Sequence, residues 1–369
     1  MDDARACRIA LNAIPFMHPA LYHRLVAAFG SARAVFGAST AELLSVRDAA
    51  PALVESIRES DPVKLAERET ALAAKLSARI LLMDDEGYPA PLASAAAPPP
   101  VLTVAGEWKK EDEAALAVVG TRAPTTYGKA MTQKFTVALV KAGLTIVSGL
   151  ARGVDGVAHR AALECGGRTV AVLGCGLNVF YPPEHRELQG RIAGQGAVIS
   201  QFPCAAAPSK VTFPARNRVI SGLSLGALVV EAPEKSGALI TAYAALEDNR
   251  EVFALPGPVN SPRSEGTNRL IQKGHAKLAL SVDDILDELP PAVRDAARQG
   301  QLTLSLEKRA PELDGEERAL LHLLDHEERH IDDLAQAAGL PSHKASVILL
   351  SLEIKGLVTQ SAGKMFSRS

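Results

Sequence analysis

The segment Lys210-Val211-Thr212-Phe213-Pro214-Ala215-Arg216-Asn217-Arg218-Val219-Ile220-Ser221-Gly222 places three cations, an aromatic ring and an amide within nine residues. A single strand of nucleic acid requires that set: cations for phosphates, a ring face for a base and an amide for a base edge. The competing reading puts Phe213 in a core and has the arginines tie loops together. Pro214 argues against a regular helix at the start of the segment, so a projecting loop is expected.

Four further segments are rich in small residues: Val119-Gly120-Thr121-Arg122, Ser148-Gly149-Leu150-Ala151-Arg152-Gly153, Gly174-Cys175-Gly176 and Ser236-Gly237. Loops of this kind bring backbone N–H groups close to an anion, and phosphate is the expected guest. The alternative is that the glycines only permit tight strand-to-helix turns. A dinucleotide cofactor is not supported, because Gly174-Cys175-Gly176-Leu177-Asn178-Val179 lacks the third glycine and no acid follows about 20 residues on. GxxxxGK[ST] is also absent, so no nucleotide cofactor is expected.

Asp155 and His159, four apart on an expected helix, could bind a metal or relay a proton, or could serve a helix dipole and a packed core. Glu231 at a strand end could do acid/base work, although an ion pair with an arginine is the better reading. Cys7, Cys165, Cys175 and Cys204 form no CxxC or Cys/His cluster, so no metal or disulfide framework is expected and the thiols should be reduced and buried.

These loops need a scaffold, and short apolar runs supply it. They are Leu116–Val119, Leu144–Val147, Thr169–Leu173, Ala197–Ile199, Ala227–Val230 and Val252–Leu255, separated by helical stretches such as Lys129–Lys141 and Val154–Glu164. Near-continuous apolar strands alternating with helices imply a doubly wound, mostly parallel α/β sheet, which binds ligands at its strands' carboxyl ends. Residues 1–82 read as short helices, and Ile14-Pro15 to Phe29-Gly30 resembles a helix-hairpin-helix or sterile-alpha-motif module. The core is expected over 83–285, a linker over 286–312 and a winged helix over 313–369. That module has the order Glu316–Leu324, Ile331–Ala338, Ser342–Lys355 and a hairpin over Leu357–Phe366.

With 369 residues, there is enough chain for two to three domains. The formal charge of −2 conceals an asymmetry: residues 118–280 hold 18 Lys/Arg against 10 Asp/Glu, whereas residues 310–369 hold 6 against 10. A basic middle suits a polyanion, and an acidic winged helix is poorly suited to duplex phosphates. The start Met1-Asp2-Asp3 carries no basic-then-apolar leader, and no window approaches a bilayer span. A cytoplasmic location with no membrane partner is therefore expected.

Several blocks in order resemble the DNA-processing protein A family (DprA/Smf) over residues 85–280. They are Val118-Val119-Gly120-Thr121-Arg122 with Tyr127-Gly128; Ile146 to Gly156 with Ala158-His159; Val172-Leu173-Gly174-Cys175-Gly176 with Tyr181-Pro182; Phe213-Pro214-Ala215-Arg216-Asn217-Arg218; and Ser236-Gly237-Ala238-Leu239-Ile240-Thr241-Ala242. The resemblance implies an extended Rossmann-like core that binds single-stranded DNA without cutting it and forms a homodimer. It also implies that the protein loads the RecA recombinase onto incoming strands in natural transformation. It assigns DNA contact to Arg122, Lys210 and Phe213, and Arg216, Asn217 and Arg218 match the pattern. With the loop residues Gly120, Thr121, Ser148, Gly149, Arg152, Ser236 and Gly237 these make thirteen candidate DNA-binding residues. Two departures are Gln201, where the family usually has glutamate, and Ala238, where serine is commoner. The rival reading is a nucleoside-phosphate-processing enzyme of the phosphoribohydrolase kind, which would need Glu231 or Glu234 near Ser236-Gly237.

Overall fold

The structure is a computed structural model that describes residues 2–307, 314–324, 329–354, 358–361 and 363–368. The chain divides into Met1–Gly300 and Gln301–Ser369. Six helices open the first unit: α1 (Asp3–Ala13), α2 (Pro19–Phe29), α3 (Ala32–Gly37), α4 (Thr40–Leu44), α5 (Pro51–Glu59) and α6 (Pro62–Lys75). Short polar residues cap four of them, α1, α3, α4 and α6. Asp2 caps α1, and Ser39 with Glu42 forms a reciprocal capping box on α4. Leu11, Leu21, Leu25, Val35, Leu53 and Ile57 meet in their shared core.

The chain then enters the sheet by a route the sequence reading did not foresee. Strand β1 (Ala78–Leu82) pairs antiparallel with β2 (Val101–Gly106), and β2 pairs antiparallel with β6 (Ala197–Ser200). Between β1 and β2 lies the short helix α7 (Ala90–Ala93). The remaining strands are β3 (Ala115–Val119), β4 (Thr145–Ser148), β5 (Thr169–Val172), β7 (Gly226–Val229), β8 (Glu251–Ala254) and β9 (Lys277–Leu278). They build one nine-stranded sheet in the order β1-β2-β6-β5-β4-β3-β7-β8-β9, parallel from β6 to β9. The mostly parallel, doubly wound α/β class expected from the apolar runs is the class observed.

The connecting helices are α8 (Thr126–Lys141), α9 (Val154–Glu164), α10 (Arg186–Gln195), α11 (Thr212–Gly222) and α12 (Gly237–Glu247). Alternation along β3 shows how they cover the sheet. Ala115, Ala117 and Val119 pack with Val219 and Ile220 of α11 and Leu239 and Ala242 of α12. Leu116 and Val118 turn the other way, against Phe135 and Leu139 of α8 and Ala158 of α9. Each large apolar side chain so buried contributes about 1.5–3 kcal/mol. Two short helices, α13 (Glu265–Gln272) and α14 (Asp283–Leu286), complete the edge. Helix α15 (Pro291–Glu307) occupies most of the stretch expected as a linker, with Val293 and Ala297 packed on the core. Residues 308–312 of that expected linker lie outside the described residues.

The second unit has α16 (Gly315–His322), α17 (Ile331–Ala338) and α18 (Ser342–Ile354) with a three-stranded sheet of β10 (Arg329–His330), β12 (Met365–Arg368) and β11 (Val358–Ser361). This is the winged-helix arrangement; Lys355 and Leu357 of the expected elements lie outside the described residues. No described helix is long and apolar enough to cross a membrane.

All four cysteines are free, and Cys7, Cys175 and Cys204 are buried; Cys165 is only partly covered, contrary to expectation. Burial pushes the Cys175 thiol up to about 11 and the Cys204 thiol up to about 12, where an adjacent Glu69 adds to the effect. Native protein at neutral pH should therefore be alkylated at Cys165 well before the other three, as read by peptide mass spectrometry. Rapid modification of Cys204 would contradict this packing.

Candidate nucleic-acid interface

In the sheet order, β3 has β4 on one side and β7 on the other, so the parallel strands are added outward in opposite directions from this point. Loops leaving these two strands diverge and open a crevice at their carboxyl ends. A cleft of about 470 Å³ occupies it, walled by Gly120, Thr121 and Arg122 after β3, Ser236 and Gly237 at the start of α12, and one face of α11.

The expectation of a projecting loop at Pro214 is corrected, because Thr212–Gly222 is helical. Pro214 is the third helical residue, and the first four N–H groups of a helix have no intrahelical acceptor, so its missing N–H costs nothing there. Helical spacing turns Phe213, Arg216, Asn217 and Ile220 into the cleft. Lys210, on the turn before the helix, is exposed and lines the same cleft.

Phe213 lies on Gly174, where an added Cβ would come within 2.6 Å of the ring. The Arg122 guanidinium stands 5.1 Å from the ring centroid, and the Tyr181 ring is 5.6 Å away at 43°. Phe213 is thus half-buried at a cleft wall and not in the core. Arg122, Lys210 and Lys235 line this cleft as exposed cations that have no ion pair among the described residues. Lys235 was missed by the sequence reading, although it adjoins the Ser236-Gly237 loop.

Arg216 plays a different part. It is 5% exposed, and its guanidinium donates to the Gly149 and Val172 carbonyls (the latter at 2.8 Å) and to Asn217 Oδ1 at 2.9 Å. Asn217 Nδ2 in turn donates to the Gly237 carbonyl at 3.0 Å. The pair fastens the ends of β4 and β5 to the start of α12. Gly149 is required because a Cβ there would overlap the Arg216 guanidinium. Gly153, at φ 79°, permits a close approach to the Thr121 carbonyl.

Four of the thirteen predicted residues fall outside the cleft lining. Ser148 is fully buried and donates to the Val118 carbonyl at 2.7 Å, and Gly149 lies under Arg216. Arg152 is exposed but paired with Glu184. Arg218, two residues beyond Arg216, emerges on the opposite side of α11 and pairs with Glu247 at 2.6 Å.

The acidic candidates are held in structural roles. Asp155 Oδ2 accepts the Gly149 and Ala151 N–H groups at 3.2 and 3.3 Å, and burial pushes its carboxyl above the usual range against the pull of Arg216. His159 is fully buried and hydrogen-bonded to Thr169, with its pKa pushed down to about 3 by burial. Among the described residues no group of three or more His, Cys, Asp or Glu could hold a metal ion. Glu231 forms no ion pair with an arginine among the described residues. It instead takes the Thr125 N–H at 2.9 Å and the Thr125 hydroxyl at 2.5 Å, anchoring α8. Glu234 is paired with Arg269. Asp155 is the one carboxylate lining the cleft among the described residues.

The model of the DNA recombination-mediator protein A family matches residues 79–290. The chain belongs to that family. A DprA winged helix domain model matches residues 305–364. Protein Smf of Escherichia coli is 42% identical over 287 residues, covering 76% of this chain and 75% of that one. Among solved structures, DNA processing protein A from Streptococcus pneumoniae is 32% identical with a TM-score of 0.66, over 79% of this chain and 99% of that one. DNA processing protein A from Helicobacter pylori, solved for its single-stranded DNA binding mode, is 32% identical with a TM-score of 0.52, over 58% of this chain and 97% of that one. Membership places the chain among proteins of DNA processing in recombination.

Proposed function

We propose that this chain binds single-stranded DNA in the cleft between β3 and β7 and, as a homodimer joined through its Rossmann-like core, loads the RecA recombinase onto incoming strands in natural transformation. It performs no chemistry on the strand and needs no cofactor. The observation that carries the binding role is the set of three cations without an ion pair among the described residues, Arg122, Lys210 and Lys235, around the half-buried Phe213 ring. Arg122, Lys210, Lys235 and the loop N–H groups neutralise phosphates while Phe213 stacks on a base. Gly120, Thr121, Ser236 and Gly237 bring backbone to the strand; Arg216, Asn217, Ser148 and Gly149 hold the loops. Further support comes from the Helicobacter pylori relative solved for its single-stranded DNA binding mode. The recombinase partner and the homodimer rest on family membership.

The nucleoside-phosphate enzyme lacks a free carboxylate where it would need one, since Glu231 is committed to Thr125 and Glu234 to Arg269. Fluorescence anisotropy with a labelled single strand and its duplex, across a salt series, tests the binding reading. Tighter single-strand binding is expected, with a log–log salt slope of about −2 from three phosphates at about −0.7 each. Release of free base from nucleoside monophosphates would overturn it in favour of the enzyme.

A further inference from the structure

A second cleft, of about 360 Å³, lies on the other side of α11 from the one above. That size falls within the range of small-ligand sites. Pro19 at the start of α2, Ala95 beyond α7, and Ala215 and Val219 of α11 give it apolar walls, with His18 and Arg218 among its polar members. The helical module and the sheet domain therefore both contribute to it.

Gln201, directly after β6, makes this cleft more than a packing gap. It lines the cleft, is 6% exposed, and its amide Nε2 is a buried donor with no hydrogen-bond partner. Its backbone carbonyl is occupied, accepting from Asn12 Nδ2 at 3.2 Å. The Asp248 carboxylate in the lining is also occupied, by the Ala96 N–H at 3.1 Å. Buried donors without partners are rare because water is given up with nothing in return, and each calls for a cause.

An apolar slot with one unmet amide donor and a half-exposed guanidinium suits a nucleobase whose phosphate stays outside. Helical spacing on α11 links it to the first cleft. Phe213, Arg216 and Asn217 face one cleft, and Ala215, Arg218 and Val219 face the other. A strand leaving Phe213 has one helix to cross, about 10–12 Å with its side chains. We propose that the second cleft takes a base from that same DNA strand, with Gln201 Nε2 donating to a base acceptor and Arg218 exchanging Glu247 for a phosphate. This rests on the single-strand reading of the first cleft.

The test is a length series of oligothymidylates, from one that only fills the Phe213 cleft to one several nucleotides longer, on the full chain. The longer strand should bind at least about five-fold more tightly, the gain expected of one further net hydrogen bond to the base. Ala215→Trp, which fills the slot, should erase that gain and leave short-strand binding unchanged. Gln201→Leu should reduce the gain without lowering the melting temperature, because it removes a donor that bonds to nothing in the free protein. If the tryptophan variant does not fold, Gln201→Leu decides the matter alone. A full length gain in folded variants overturns the second cleft and spares the first, as does a variant that loses only recombinase capture, which would assign the cleft to a protein partner. Absence of a gain in wild type also overturns it. If no strand of any length binds wild type, the first reading fails too.

Discussion

Replacing Arg216 by leucine should cost the core about 3–5 kcal/mol, the usual penalty for removing one side of a buried charged network. Three acceptors lose their donor: the Gly149 carbonyl after β4, the Val172 carbonyl at the end of β5, and Asn217 Oδ1. Asp155 also loses the cation that opposes its desolvation. The pH dependence follows from that carboxyl. Burial already holds its folded pKa above the unfolded value, so ionising it works against folding as pH rises. Without Arg216 the upward shift grows. The deficit of Arg216→Leu relative to wild type should therefore be largest at neutral pH and shrink towards the unfolded Asp value of about 3.9. Urea denaturation at neutral and acidic pH measures this. An equal loss at both would mean that Asp155 does not feel the guanidinium.

Lys210→Ala and Phe213→Ala should both weaken single-strand binding, with different salt signatures. Loss of one charge-assisted contact is worth about 1.5–3 kcal/mol, or roughly 10- to 150-fold, and should reduce the salt slope by about 0.7. Charge reversal in Lys210→Glu adds repulsion and should weaken binding further. Loss of the ring costs about 1–3 kcal/mol for the base it stacks and leaves the slope unchanged, since no phosphate contact is removed. Part of that cost is the Arg122 guanidinium losing its seat over the ring, worth about 0.5–2 kcal/mol by itself. Identical slopes in all three proteins would contradict the assignment of Lys210 to a phosphate.

The central strands could be read from the sequence because both of their faces are covered. Ala115–Val119 is buried at every position, and an uninterrupted apolar run is the signal that such burial leaves. Strand β1 left no such signal. Ala78–Leu82 has a mixed burial pattern and its partner β2 is some twenty residues away, so pairing had to be found in three dimensions. Phe213, Lys210 and Arg122 were recognisable by residue type. Arg218 departs from its expected place because Pro214 sits in the first turn of α11 and does not break it. Once α11 is a helix, positions 213, 216, 217 and 220 share a face and 218 cannot join them. Buried roles such as those of Ser148 and Glu231 depend on close neighbours 30 and 106 residues away in the chain, which spacing alone does not reveal.

Strand β1 also bears on how this protein could be taken apart or recombined over evolutionary time. A module attached by a tether can be lost or exchanged without disturbing its neighbour. Here a ladder of five residue pairs, Ala78 with Ala105 to Leu82 with Val101, makes the segment that follows the six helices part of the sheet itself. The Arg5 guanidinium adds bonds to Asp85 and the Ile80 carbonyl, both at 2.8 Å. A gene fusion or deletion with its junction at residue 83 would remove a sheet margin together with the helices. It would leave β2 as a bare edge open to pairing with another chain. Shuffling of the helical part is therefore constrained to carry β1 with it, and an inherited boundary belongs before residue 78 and not after residue 82.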